Sequence, residues 1–352
     1  MQKLQNTLEK ITPPDREVEK EAQNYLDSLT KPIGSLGVLE EIARKIAGIT
    51  GEVKPKCPKK ASILMAGDHG VVAEGVSAYP QEVTPQMVLN FLAGGAAMNV
   101  LSRHAGAELI VVDIGVAADL PDNPILLKRK IAYGTANFTQ GPAMTREQAV
   151  AALEVGIEVA EECIKKGVSL LGTGEMGIGN TTPSTAITAF YRQCDVKDVC
   201  GKGTGLKDDL LGQKIKAVEK AIAVNQPQRN DAIDVLAKLG GLEIAGMAGV
   251  MLAAAANRIP VLIDGFISSA AALIASHLHP HAVDYMLASH LSEEPGHAIA
   301  LEMLGIKPFL RMNMRLGEGT GAALAMPIVD AALKIMHEMS TFADAGVSTA
   351  LV

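Results

Sequence analysis

The 352-residue sequence predicts an α/β protein: a mostly parallel sheet covered by helices, with a helical appendage formed by the two chain ends. Three observations carry the prediction. Short apolar runs recur along the chain, each ending in glycine or in a turn of glycine and aspartate; longer helical patterns separate them; and both ends show helical patterns without strand runs. Strands alternating with helices imply crossover connections, hence parallel pairing with both faces covered.

The elements follow in order. Residues 15–29 form the first helical pattern. The first strand run, 61–66, precedes Gly67-Asp68-His69-Gly70, and the second, 109–114, precedes Gly115. A long helical pattern at 146–166 opens at Thr145, with Gln148 three residues on as a capping box. The third run, 168–171, leads into Gly172-Thr173-Gly174. Residues 244–256, the most apolar stretch, are too few to span a bilayer and read as a core helix. The fourth run, 260–263, precedes Asp264-Gly265-Phe266, and 322–342 is the closing helical pattern, in which Pro327 is expected to start a new turn or a kink. No repeat or linker divides the chain. The expected organisation is one large α/β domain, residues 31–321, and a small helical subdomain from residues 1–30 and 322–352.

Composition narrows the function classes. Hydrophobic residues make up 48% and charged residues 20%, which excludes a disordered chain. A net charge of −7 repels a polyphosphate backbone, and the basic run Lys128-Arg129-Lys130 reads as a solvated face. Aromatics at 3% leave little for stacking single-stranded nucleic acid. Cys57, Cys163, Cys194 and Cys200 match neither zinc nor C-x-x-C spacing, so reduced thiols in a cytoplasmic protein are expected. The N-terminus is polar and partly acidic, unlike a signal or transit peptide.

Glycine, at 34 residues, has addresses. Residues 168–182 read as strand, glycine loop and helix start, with Thr182 as the expected N-cap and Pro183 at the first helical position. Such a loop aims backbone N–H groups and the positive helix end at a phosphate. Gly172, Gly174 and Gly177 also satisfy G-x-G-x-x-G, which keeps an NAD-dependent oxidoreductase as the alternative, although no second strand ending in an acid follows. A nucleotide-binding sensor using the same loops is a third reading. A second glycine loop, Arg315 to Gly321, holds Glu318 between two glycines, as the first holds Glu175. Partial burial of such a carboxylate raises its pKa toward the range of a general base. His290 and His297 are separated by Pro295-Gly296 and cannot act as helical metal ligands, so hydrogen bonding or substrate contact is expected of them. Neither a P-loop nor a G-x-S-x-G elbow is present.

Seven blocks then match one family in collinear order: KPIGSLGVLE from Lys31, AGDHGVVAEGVSAYPQEVT from Ala66, GEMGIGNTT from Gly174, GKGTGLK from Gly201, IDGFISSAAA from Ile263, SHLSEEPGH from Ser289 and RLGEGTGAALA from Arg315. The chain resembles the nicotinate-nucleotide:dimethylbenzimidazole phosphoribosyltransferases. The resemblance implies a Rossmann-like fold and a homodimer in cobalamin assembly. It implies transfer of ribose 5-phosphate from nicotinate mononucleotide to 5,6-dimethylbenzimidazole with inversion, giving α-ribazole 5′-phosphate and nicotinate. It implies no cofactor, no metal, and neither nucleic acid nor membrane as partner. Glu318 matches the catalytic base and Glu175 the second acid. Gly174, Gly177, Ile178, Gly179, Asn180, Thr181, Thr182 and Gly317, with Lys214, Asp264 and Ser292, fall to the nucleotide and its phosphate, and Tyr79, Pro80, Gln86, Met87 and Leu316 to the acceptor pocket.

Overall fold

The computed structural model describes residues 1–203, 205 and 208–348; Thr204, Leu206 and Lys207 of the GKGTGLK block lie outside them. The centre is a six-stranded sheet, every pairing parallel, in the order β3-β2-β1-β4-β5-β6. Its strands are β1 (Lys60–Gly67), β2 (Ala107–Gly115), β3 (Leu126–Lys128), β4 (Leu170–Met176), β5 (Val261–Ile263) and β6 (Met286–Ala288). The four apolar runs supply β1, β2, β4 and β5. The edge strands β3 and β6 have three residues each, too few to show a periodicity. A separate parallel pair joins β7 (His290–Leu291) to β8 (Leu310–Arg311).

The strand order reverses between β1 and β4, where Met65 pairs with Glu175 and Ala66 with Met176. A sheet of this kind opens its ligand crevice beyond the carboxyl ends at that switch. The strand β4 runs further than its apolar residues, through Gly172 and Gly174 to Met176, so Glu175 stands on a strand end rather than in a loop.

On one face the helix Leu242–Ala256 is buried on every side and touches Arg146–Lys165 backbone to backbone. A Cβ on Gly156 would lie 1.9 Å from the Gly246 carbonyl oxygen, so only glycine permits that approach. The Arg146–Lys165 helix carries the expected capping box, Gln148 N–H donating to Thr145 Oγ1 at 3.1 Å and Thr145 N–H to Gln148 Oε1 at 2.9 Å.

The other face is covered in part by Thr320–Glu338, which packs on Val38–Thr50, itself against Arg16–Ser28. Ala22, Leu26, Ile42, Ile46, Met326 and Val329 share that apolar cluster with Leu170 and Leu262 of the sheet. Here the chain ends meet, Thr30 N–H donating to Ser340 O at 3.0 Å. The first helix, Gln2–Leu8, goes elsewhere, packing on Arg146–Lys165 with the N-terminal ammonium 2.5 Å from Glu154. The helix Thr320–Glu338 continues through Pro327 instead of starting afresh there. Its buried flank, from Ala322 to Met336, outweighs the one hydrogen bond a proline removes. Among the described residues no helix is long and apolar enough to cross a membrane.

Candidate active site

A cleft of about 450 Å3 opens at the sheet's switch point, walled by the ends of β4 and β5, the 177–181 loop, the 315–318 loop and the mouth residues Tyr79, Val83 and Met87. It brings together twelve of the residues singled out from the sequence: Glu175, Gly177, Ile178, Asn180, Thr181, Asp264, Ser292, Gly317 and Glu318, with Tyr79, Met87 and Leu316 at the mouth. Six do not line it. Pro80 and Gln86 are exposed outside it, Lys214 is buried one shell behind, and Gly174, Gly179 and Thr182 lie beneath the surface.

The floor is acidic. Glu175 is buried, its Oε2 accepting from the Asn180 side-chain amide and its Oε1 from the Glu318 N–H at 3.2 Å. Burial pushes its pKa up to about 8, the two donors opposing that rise. Glu318 is also buried, with φ of +64°, and its Oε2 has no hydrogen-bond partner. Burial raises its pKa as well, opposed by the Met98 backbone N–H and reinforced by the nearby Asp264 charge. The two glutamates meet because β4 and the 315–321 loop touch through glycines: a Cβ on Gly174 would lie 2.5 Å from the Glu318 carbonyl oxygen. That contact explains glycines inside a strand. It also corrects the dinucleotide reading, since Gly172 and Gly174 sit in β4 and cannot form the strand-to-helix turn that the fingerprint requires.

The opposite pole is cationic. The helix begins at Thr181, with Asn180 in the cap position and Pro183 as its third residue, rather than at Thr182-Pro183. The reason is that Thr182 N–H already closes a turn onto Gly179 O at 3.0 Å. Two more loop donors are committed, Ile178 N–H to Thr84 Oγ1 at 3.1 Å and Asn180 N–H to Gly177 O at 3.1 Å. Fewer backbone donors are therefore left free in this loop than its glycines suggest. Lys214 Nζ donates to Thr181 Oγ1 at 2.8 Å and to Gly201 O at 2.9 Å, and burial lowers its pKa.

Beneath the glycine loop lies a fully buried pair, His69 Nε2 and Glu243 Oε1 at 2.7 Å. Burial alone would lower the His69 pKa, but the glutamate overrides it and the net shift is upward. His297 takes the opposite course: its Nδ1 accepts from Ser292 N–H at 3.0 Å, and burial pushes its pKa down to about 3, so it stays neutral and fixes Ser292. His290, of which hydrogen bonding or substrate contact was expected, lines the cleft, as do Glu294, Arg315, Val83 and Ser268, which were not assigned to it from the sequence. Glu294, Arg315, Val83 and Ser268 all stood inside the quoted blocks, and Val83 lies four residues before Met87, one helical turn away. The basic run is spent on ion pairs: Lys128 with Asp122 and Arg129 with Glu162 stand on a solvated face as expected, whereas Lys130 is largely covered and pairs with the buried Asp113.

A parallel sheet with this strand order, a helix start and buried lysine at its crevice and an unpartnered buried carboxylate beside it, is the build of an α/β enzyme. The chain belongs to the phosphoribosyltransferase family, whose profile matches residues 11–347. It is 57% identical to the nicotinate-nucleotide--dimethylbenzimidazole phosphoribosyltransferase of Geobacter sulfurreducens over 98% of each chain, and 58% identical to that of Chloroflexus aggregans over 99% of each. The crystal structure of the corresponding protein from Thermus thermophilus superimposes with a TM-score of 0.91 at 47% identity, covering 96% of this chain and 100% of that one.

Proposed function

We propose that the protein transfers ribose 5-phosphate from nicotinate mononucleotide to 5,6-dimethylbenzimidazole in cobalamin synthesis, in a single displacement with Glu318 as general base. The observation that carries the reading is the Glu318 carboxylate, which lines the cleft with Thr181 and whose buried Oε2 has no hydrogen-bond partner. The names of the relatives supply the substrates.

In the step, an acceptor ring nitrogen forms a bond to the ribose anomeric carbon from the face opposite the nicotinate. The old glycosidic bond breaks, its electron pair going to the pyridinium nitrogen, so nicotinate leaves without needing an acid. The proton on the acceptor's other nitrogen passes to Glu318 Oε2. A base so placed contributes about 10²- to 10⁴-fold, and burial makes Glu318 a better base than an exposed carboxylate. Glu175, kept protonated by its burial, orients the base by accepting the Glu318 N–H. Thr181, with Lys214 behind it, takes the phosphate, and Tyr79, Met87 and Leu316 hold the acceptor ring.

Incubation with both substrates should release nicotinate and form α-ribazole 5′-phosphate. Tight nucleotide binding without release would convert the reading into a sensor, and no binding at all would overturn both. We also propose a homodimer, which light scattering during gel filtration would show at twice the 36.8 kDa chain mass.

A further inference from the structure

Residues 317, 318 and 319 form a run of left-handed backbone, with φ of +85°, +64° and +91°. The outer two are glycines and tolerate this; Glu318 is not, and does not adopt it unless its surroundings impose it. Two carboxylates impose it. Glu175 Oε1 accepts the Glu318 N–H at 3.2 Å, and Asp264 Oδ2 accepts the next N–H along, that of Gly319, at 3.1 Å. Asp264 Oδ1 accepts two more, from Gly321 at 2.7 Å and Ala322 at 3.1 Å, in the first turn of Thr320–Glu338. Asp264 is buried at the end of β5, in a different part of the chain from the loop it grips. Its nearest cationic candidate, His290 Nδ1, is 3.9 Å from Oδ1, beyond hydrogen-bond reach.

We propose that Asp264 is a positioning residue: it holds the main chain on the carboxyl side of Glu318, as Glu175 holds the amino side, and so aims the Glu318 carboxylate into the cleft. This rests on the reading of Glu318 as general base. It departs from the resemblance, which gave Asp264 to the nucleotide: Oδ1 is filled by two backbone donors and Oδ2 already holds one. The link also ties the turn after β5 to the catalytic loop, so the base is registered against the sheet itself.

The test is a kinetic double-mutant cycle with Asp264→Asn and Glu318→Gln, run on the intact enzyme with nicotinate mononucleotide and dimethylbenzimidazole. Misplacing a catalytic group by about 1 Å costs about 10²-fold, so Asp264→Asn should lower kcat by that order while leaving the KM for the nucleotide within about twofold. In the Glu318→Gln background the same change should cost less than about threefold, because a base already absent cannot be misaimed. A raised KM with kcat retained, or the full loss repeated in the Glu318→Gln background, would overturn the proposal in favour of direct nucleotide contact. Should Asp264→Asn fail to fold, Asp264→Glu keeps the charge and displaces the clamp; the same split between kcat and KM decides. A wild-type enzyme that releases no nicotinate would instead overturn the parent reading.

Discussion

Glu175, Glu318 and Asp264 on the floor of the cleft are each buried and, in Glu175 and Asp264, bonded to main chain, whereas Tyr79 and Leu316 at the mouth are 52% and 58% exposed. The floor has few degrees of freedom left, because moving any one carboxylate disturbs a backbone segment that another carboxylate holds. The mouth can exchange side chains at little cost to the fold. On the function proposed above, the difference separates chemistry from selection: the floor would handle the proton and the positive charge, and the mouth would choose the ring that enters.

The largest expected break in that contrast is Glu318→Gln. It keeps the volume and removes the base, and should lower kcat by about 10²- to 10⁴-fold with little change in nucleotide affinity; wild-type turnover would move the base elsewhere on the floor. Lys214→Met comes next. A hydrogen bond involving a charged group is worth about 1.5–3 kcal/mol, so calorimetric affinity for nicotinate mononucleotide should weaken by about 10- to 150-fold, while circular dichroism reports the fold retained.

Gly317→Ala tests the floor's rigidity through stability. The new methyl would stand 2.4 Å from Glu175 Oε1 at a φ of +85°, a backbone strain of about 1–3 kcal/mol that urea unfolding would read.

A smaller effect separates wild type from Glu175→Gln as pH changes. A glutamate titrates near ~4.3 in an unfolded chain and at about 8 in this site. Between those values the folded state binds more protons. The stability tied to neutral Glu175 is therefore fully present below the lower value and is lost as pH rises through the upper one. Glu175→Gln, which loses about 1 kcal/mol from a mismatched amide, should close its gap with wild type as unfolding is measured from pH 5 to 9; parallel curves would refute the assignment. The smallest effect belongs to the mouth: Leu316→Ala should change stability by less than about 0.5 kcal/mol and act on the KM for the acceptor base instead.

The same contrast governs what the sequence could show. The apolar runs ending in glycine placed β1, β2, β4 and β5, and the glycines flanking Glu175 and Glu318 marked both as cleft residues before any coordinates. The extent of β4 was hidden because Gly172 and Gly174 are weak strand formers, placed there by contacts with Met326 and the Glu318 backbone far along the chain. The resemblance gave Asp264 to the nucleotide; its bonds to the 319–322 backbone were not legible in the sequence, since they span 55 to 58 residues and join a side chain to backbone N–H groups, which leaves no periodic trace. Gln86, one residue from Met87, stands outside the cleft lining for the simpler reason that neighbours on a helix face different ways.

The helix Leu242–Ala256 reaches the site from its own first turn, where Glu243 pairs with His69 under the glycine loop. Buried on all sides and in backbone contact with Arg146–Lys165, it has no route to solvent short of opening the whole domain. Its amide protons should be the last in the molecule to exchange with deuterium, at the rate of global unfolding. The mouth segments around Tyr79 and Leu316 should exchange through local opening many times before that. The enzyme would thus run two clocks: a slow one beneath the glycine loop and a fast one at the mouth of the cleft.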